Sequence, residues 1–360
     1  MKHKTVFIYC SGIDEVLSGS SKVAGIQVQM SFWARTFAQH GWNVLSYGET
    51  ALLSLSGITF QKQFSSSFLS RLHLKSLVEL INCWRCVRRH PDLVVARGAQ
   101  REFYYLMRFC KLKNIQFVLF GASDVNFIPG REQIAGSSHN RLLYQKTIRN
   151  TKYIVTQNEK QFLSLQQYYG KRGLMQPNIW IPSNQDKHEK KYDAIWVANL
   201  RPLKRAEWFV SLAEKLSQYR FAIVGGAMDK KYYEKIERLS GAVPNLSFLG
   251  AKSFEEVNGL LSESRLLVCT SEFEGFPNTF LQAWSQSVPV VSTVNPNDLL
   301  TEYKLGEYVA TQEGLCESVE SLVSNPLCYQ SYEEAIQGYF LLNHSAEHAF
   351  DKLMDYLRLS

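Results

Sequence analysis

The 360-residue sequence holds no run of 18 apolar residues, so no helix is expected to span a bilayer. The early apolar stretch Thr5-Val6-Phe7-Ile8-Tyr9-Cys10 is short and is broken by Ser11-Gly12-Ile13-Asp14. It reads as a first strand, not a signal peptide. Seven cysteines, odd in number and scattered, form no disulfide framework, so a reducing, cytoplasmic setting is expected. Cys83 and Cys86 make one CxxC inside a helical pattern, with no second Cys or His pair at ligand spacing. No metal role is read there. The eight histidines are dispersed. Zinc-protease, nucleophile-elbow, kinase and Walker-type motifs are all missing, as are repeats and low-complexity tracts.

What is present is apolar material for two cores: 45% of the residues are hydrophobic, and the length suits two domains. Charge divides the chain. Residues 1–190 hold 25 Lys and Arg against 11 Asp and Glu, whereas 191–360 hold 15 against 22. The densest basic part runs from Arg71 through Lys75, Arg85, Arg88, Arg89, Arg97, Arg101 and Arg108 to Lys111 and Lys113. Phe68, Leu69, Leu72, Leu77, Leu80, Ile81 and Trp84 recur there at helical spacing. That combination fits peripheral contact with an anionic membrane, or a solvated helix face. No nucleic-acid-binding motif accompanies it, so nucleic acid is not an expected partner.

Short apolar runs alternate with longer helical patterns, the mark of parallel α/β layers. Strands are expected at Val6–Cys10, Asn43–Tyr47, Leu93–Ala96, Phe117–Phe120 and Tyr153–Thr156, with helices at Gln27–His40 and Arg141–Arg149. After a polar stretch, a second series is expected at Ala194–Ala198, Phe221–Val224, Leu246–Leu249, Arg265–Cys269 and Val288–Ser292. The expected domains are therefore 1–182 and 193–340, joined by a linker at 183–192, with a final helical segment at 341–360.

One segment carries the most information: Ser271-Glu272-Phe273-Glu274-Gly275-Phe276-Pro277-Asn278-Thr279-Phe280-Leu281-Gln282-Ala283-Trp284, closed by Pro289-Val290-Val291. It reads as strand, tight loop, helix and strand. Asn278 and Thr279 are good cap residues for a helix at Phe280–Trp284. Free N–H groups at that start suit sugar hydroxyls or phosphate, and Glu274 can anchor hydroxyls.

The segment resembles the donor-site motif of family 4 glycosyltransferases, the retaining group with the GT-B architecture. The resemblance implies two Rossmann-like domains facing across a cleft, with a last helix returning to the first domain. It implies a nucleotide-sugar co-substrate, UDP- or GDP-linked, no metal or resident cofactor, and a glycan or lipid-linked acceptor of surface-polysaccharide type. No DxD motif of the metal-dependent glycosyltransferase fold occurs. Glu274 takes the first glutamate position of the motif, and Gln282 stands where the second usually lies. Gly275, Phe276, Pro277, Asn278 and Thr279 would line the donor.

A second resembling element is Asn199-Leu200-Arg201-Pro202-Leu203-Lys204-Arg205, after an expected strand. Lys204 fits the lysine that holds the donor diphosphate. Asn199 occupies the arginine position, which leaves Arg201 and Arg205 as replacements. Gly225 follows a further strand and would let backbone approach a phosphate closely, and the segment from Asn245 to Lys252 that holds Gly250 resembles the one whose backbone meets the nucleotide base. In the first half, Gly25 opens a helix after a Gly/Ser-rich loop and resembles the residue whose backbone reaches the diphosphate. Asp124 stands near where relatives carry a histidine beside the reacting sugar, and it is a candidate for the reaction, or a turn aspartate. Thr156-Gln157-Asn158-Glu159-Lys160-Gln161 has no assigned role. The departures at Asn199 and Gln282 keep two alternatives open: a degenerate GT-B protein that binds nucleotide sugar or scaffolds a partner enzyme, and a nucleotide-sugar epimerase.

Overall fold

The computed structural model describes residues 3–18, 25–48, 54–55, 57–68, 74–132, 134, 138–181, 189–273 and 276–359. Glu274 and Gly275 lie outside the described residues, as do Leu69, Arg71, Leu72 and most of the expected linker. The chain divides into two units, Met1–Ile179 with Ala346–Ser360, and Trp180–Ser345.

In the first unit the strands are β1 Thr5–Tyr9, β2 Asn43–Tyr47, β3 Ser54–Leu55, β4 Ile58–Gln61, β5 Leu93–Arg97, β6 Gln116–Phe120, β7 Tyr153–Thr156 and β8 Leu174–Met175. They form one sheet in the order β3-β4-β2-β1-β5-β6-β7-β8, and only the β3–β4 pair is antiparallel. Continuous apolar sequence such as Leu93-Val94-Val95-Ala96 is what a parallel strand buried on both faces demands. One face packs Phe7, Tyr47, Val94, Leu119 and Ile154 with Cys83, Cys86 and Cys110. The CxxC thus belongs to the buried side of helix Lys75–Val87.

The second unit contains β9 Tyr192–Val197, β10 Phe221–Val224, β11 Leu246–Phe248, β12 Ser264–Cys269, β13 Val290–Ser292 and β14 Gly306–Tyr308. The order is β11-β10-β9-β12-β13-β14, parallel throughout. Trp196, Phe209, Phe221, Ile223, Leu266 and Val268 lie in its core. The expected linker ends sooner than 192. Lys190 Nζ donates to Ser262 and Ser264 carbonyls, Lys191 pairs with Glu263 at 2.7 Å, and Tyr192 already begins β9.

Helix Ala346–Leu357 is grouped with the first unit. Its apolar face explains why: Phe350 meets Phe37 edge-on at 5.3 Å and stacks on His40 at 3.8 Å, and Tyr356 meets Tyr153 at 5.4 Å. Burying one such aromatic contributes about 1.5–3 kcal/mol. Strands β3, β4, β8 and β14 were not expected from the sequence; they are two to four residues long and sit at or next to sheet edges, too short to show a period. No helix among the described residues is long and apolar enough to cross a membrane.

Candidate functional site

Each sheet reverses its winding once. In the first unit β1 lies between β2 and β5, and in the second β9 lies between β10 and β12. Loops leaving the carboxyl ends of such strand pairs diverge and open a ligand crevice. In the second unit the described residues of those loops are 198–205, 270–273 and 276–277, in the stretches where the sequence places most of its donor-site candidates.

The two loops are tied together by Thr270, which is fully buried. Its Oγ1 lies 2.7 Å from Lys204 O and 2.9 Å from Arg205 O, sharing its proton between them, and accepts from Trp196 Nε1 at 2.9 Å. Glu272 N donates to Leu203 O at 3.0 Å. Arg205, left-handed at φ 47°, donates to the carbonyls of Thr270 and Ser271 and to Thr293 Oγ1, and its guanidinium stacks on Trp208 at 4.1 Å. Its side chain therefore fastens the loops through Nε and Nη2. Arg201 is different. It is half-buried ahead of the Pro202–Lys204 turn, and its Nε is buried without an acceptor. Lys204 is half-buried beside it. Arg201 and Lys204 thus stand at the two ends of the turn that Thr270 fastens to the loop after β12.

Asn199 is exposed above Gly226, whose added Cβ would stand 3.7 Å from Asn199 Oδ1. Gly225 serves the sheet: its N–H donates to Gly250 O at 2.9 Å, and a Cβ there would come within 1.9 Å of Ala198 O. Its backbone approaches the neighbouring strand end closely. Gly250 is left-handed at φ +67°.

The helix after β12 runs Asn278–Trp284, starting ahead of the expected Phe280. Pro277, buried and extended, is its N-cap, so Asn278 and Thr279 occupy the first turn, half-buried, and make no cap bond. Phe276 packs against Trp284 and His344. Gln282 is 5% exposed, and its Nε2 donates to Asn258 Oδ1 at 3.1 Å.

In the first unit Gly25 is the exposed first residue of helix Gly25–Gln39. Asp124 follows β6 and is held by Asn158 Nδ2 at 2.9 Å and Lys160 Nζ at 3.3 Å. This gives the unassigned segment after β7 a job. Asn158 caps helix Glu159–Tyr169 through Gln161 N, Gln157 Nε2 donates to Gly121 O, and buried Gln161 accepts from Gln157 N. The ends of β6 and β7 are joined by that network.

The basic stretch divides as well. Arg97 is buried at the end of β5, and Arg101 pairs with Glu79 at 2.8 Å. Arg85, Arg88 and Arg89 line, with Gln61, a pocket of about 360 Å³. Among the described residues none of these three is ion-paired. Phe68, Leu74, Leu77 and Trp84 are exposed nearby in sequence.

Residues 191–325 match the family model of glycosyl transferases group 1. The matched stretch contains both tied loops. Solved structures share the fold over the whole chain. Sucrose-phosphate synthase from Thermosynechococcus elongatus is 12% identical, with 99% of each chain covered and a TM-score of 0.71. WaaG, a glycosyltransferase involved in lipopolysaccharide biosynthesis, is 16% identical over 98% of this chain and 99% of its own, with a TM-score of 0.62. A protein assigned as a UDP-N-acetylglucosamine 2-epimerase from Listeria monocytogenes is 11% identical over 99% and 96%, with a TM-score of 0.66. At these identities the likeness establishes the fold, two Rossmann-like domains of the GT-B type. No curated protein matches the sequence.

Proposed function

We propose that this chain is a metal-independent, retaining glycosyltransferase that moves a sugar from a UDP- or GDP-linked donor to a glycan or lipid-linked acceptor in surface-polysaccharide assembly. One observation carries the reading: within the stretch matching the group 1 family, the loop bearing Arg201 and Lys204 is fastened to the loop leading to Glu274 at the β9/β12 switch point. Cations held in place ahead of the reaction stabilise the diphosphate as its charge develops, without reorganisation at the moment of bond breaking. Arg201 supplies an unpartnered Nε for that purpose, and Lys204 a second positive charge. Glu274 orients the donor sugar, and the departing phosphate assists the acceptor hydroxyl on the same face, so no protein nucleophile is invoked.

The test is thermal stabilisation by UDP, GDP and their sugars, followed by donor turnover with and without acceptor. A selective shift with slow donor hydrolysis supports the transferase. Epimerised donor without transfer supports the epimerase, and binding without turnover supports a degenerate scaffold. Glu274→Ala is expected to abolish transfer at an unchanged melting temperature; near-normal turnover would remove Glu274 from the site. Contact with the cytoplasmic membrane face is supported by Arg85, Arg88 and Arg89, which have no ion pair among the described residues, and by the exposed Phe68, Leu74, Leu77 and Trp84. Co-sedimentation with anionic liposomes at low and physiological salt tests it, and no binding at either salt sinks it.

A further inference from the structure

The switch point of the first unit holds a cation with no role in the chemistry above. Arg97 is the last residue of β5, next to the end of β1, where Tyr9 faces Ala96, and opposite Phe120 of β6. It is 6% exposed. Of the five N–H donors a guanidinium carries, one has an acceptor among the described residues: Nη2 donates to Asn178 Oδ1 at 2.6 Å. Nε is buried with no acceptor, and no carboxylate pairs with the group among the described residues. The titratable neighbour that acts on it is the Cys10 thiol at the end of β1, which burial pushes up to about 12. Cys10 is therefore neutral near pH 7 and supplies no counter-charge. Burial lowers the guanidinium to about 10, which leaves it protonated.

A buried, uncompensated cation is strongly unfavourable, and structures retain one where an anion completes it. The mount around Arg97 is rigid. Ile179 N and O are both bonded at 3.0 Å by the amide of Gln29, itself 1% exposed, which holds the adjacent Asn178 in place. Asn178 thereby restrains the guanidinium while leaving four of its N–H donors without an acceptor among the described residues. Guanidinium is also the group best matched to planar or tetrahedral oxyanions.

We propose that Arg97 is the anion-recognition residue of the first unit and takes a phosphate or carboxylate group carried by the acceptor. Only the word acceptor rests on the transferase reading; the anion site stands on the switch-point geometry and the missing counter-charge. The consequence is a substrate class: acceptors bearing a phosphate or an acidic sugar near the reactive hydroxyl, in preference to neutral glycans.

The test uses the full chain labelled with [15N]arginine, observing side-chain Nε–H signals during titration with inorganic phosphate and with acetate, against sodium chloride. The Arg97 signal is identified by its loss in Arg97→Lys. Expected is a saturable shift of that signal with phosphate or acetate and not with chloride, and phosphate affinity weaker by about tenfold or more in Arg97→Gln, the loss of one charge-assisted contact. A signal that moves no more with phosphate and acetate than with chloride overturns the proposal, and the wild-type titration decides this even where Arg97→Gln fails to fold. Repeating it with saturating UDP or GDP separates the sources. Phosphate still seen by Arg97 places the site apart from the donor, whereas a nucleoside diphosphate that itself moves the signal and excludes phosphate overturns the acceptor assignment. Absence of donor turnover, by contrast, would remove the transferase reading and leave the phosphate titration unaffected.

Discussion

Replacing Thr270 by valine removes one hydroxyl while keeping the side chain's shape, and the structure allows its cost to be worked out. That hydroxyl shares its proton between Lys204 O and Arg205 O at 2.7 and 2.9 Å and accepts from Trp196 Nε1 at 2.9 Å. Trp196 is 2% exposed, so its indole N–H would be left buried and unpaired. Loss of the donated bond costs about 1 kcal/mol, and the orphaned indole about 1–3 kcal/mol more. Thr270→Val is thus expected to destabilise the second unit by about 2–4 kcal/mol. With a urea slope of about 2 kcal/mol per molar, the midpoint should fall by about 1–2 M. Thr270→Ser keeps the hydroxyl and loses a methyl group, so its cost should stay near 1 kcal/mol. Tryptophan fluorescence in urea follows both variants, with nucleoside diphosphate binding as the companion measurement. A Thr270→Val unfolding free energy within about 0.5 kcal/mol of wild type would refute the argument that this hydroxyl fastens the loops.

The remaining expectations can be checked with the same protein. Gly225→Ala would place a Cβ 1.9 Å from Ala198 O, whereas at Gly226 the nearest atom is 3.6 Å away; the first should cost more than about 2 kcal/mol and the second less than about 1, and equal melting temperatures would refute this. Arg201→Ala should weaken nucleoside diphosphate binding by about tenfold at an unchanged melting temperature, while Arg205→Ala should lower the melting temperature first, because its bonds run to Thr270, Ser271 and Thr293. Cys83, Cys86 and Cys110 are fully buried, so a thiol reagent should label them only after unfolding, and rapid labelling in the native protein refutes their placement. Burial raises Cys83 from 9.0 to about 12, so between those values the folded chain keeps a proton that the unfolded chain releases; stability should be full below about pH 9 and fall as pH rises towards 12, and a urea midpoint that is flat or rising over that range contradicts it.

The α/β alternation was legible because the inner strands are continuous apolar runs of four to six residues separated by amphipathic helices, a local property of the sequence. Asn43–Tyr47, Tyr153–Thr156 and Phe221–Val224 fall where the sequence placed them. The donor-loop candidates were legible as residue types after strands, and the β9/β12 winding brings their two loops together. Their individual jobs were not. Arg205, Gly225 and Gln282 look like ligand residues in sequence, yet their partners are Thr270, Gly250 and Asn258, between 24 and 65 positions away. Arg97 showed the reverse: in sequence it is one charge in a basic stretch, although an arginine ending an otherwise apolar strand was the available signal.

The layer pattern, the charge asymmetry and the family-like loops are set locally, because periodicity and short motifs are written along the chain. Which cations are tied down, and which keep open donors among the described residues, follows from the folded arrangement alone. A hydrogen bond depends on what the fold brings within 3 Å, and strand order, which no local pattern states, placed Arg97 at one switch point and Arg201 beside another.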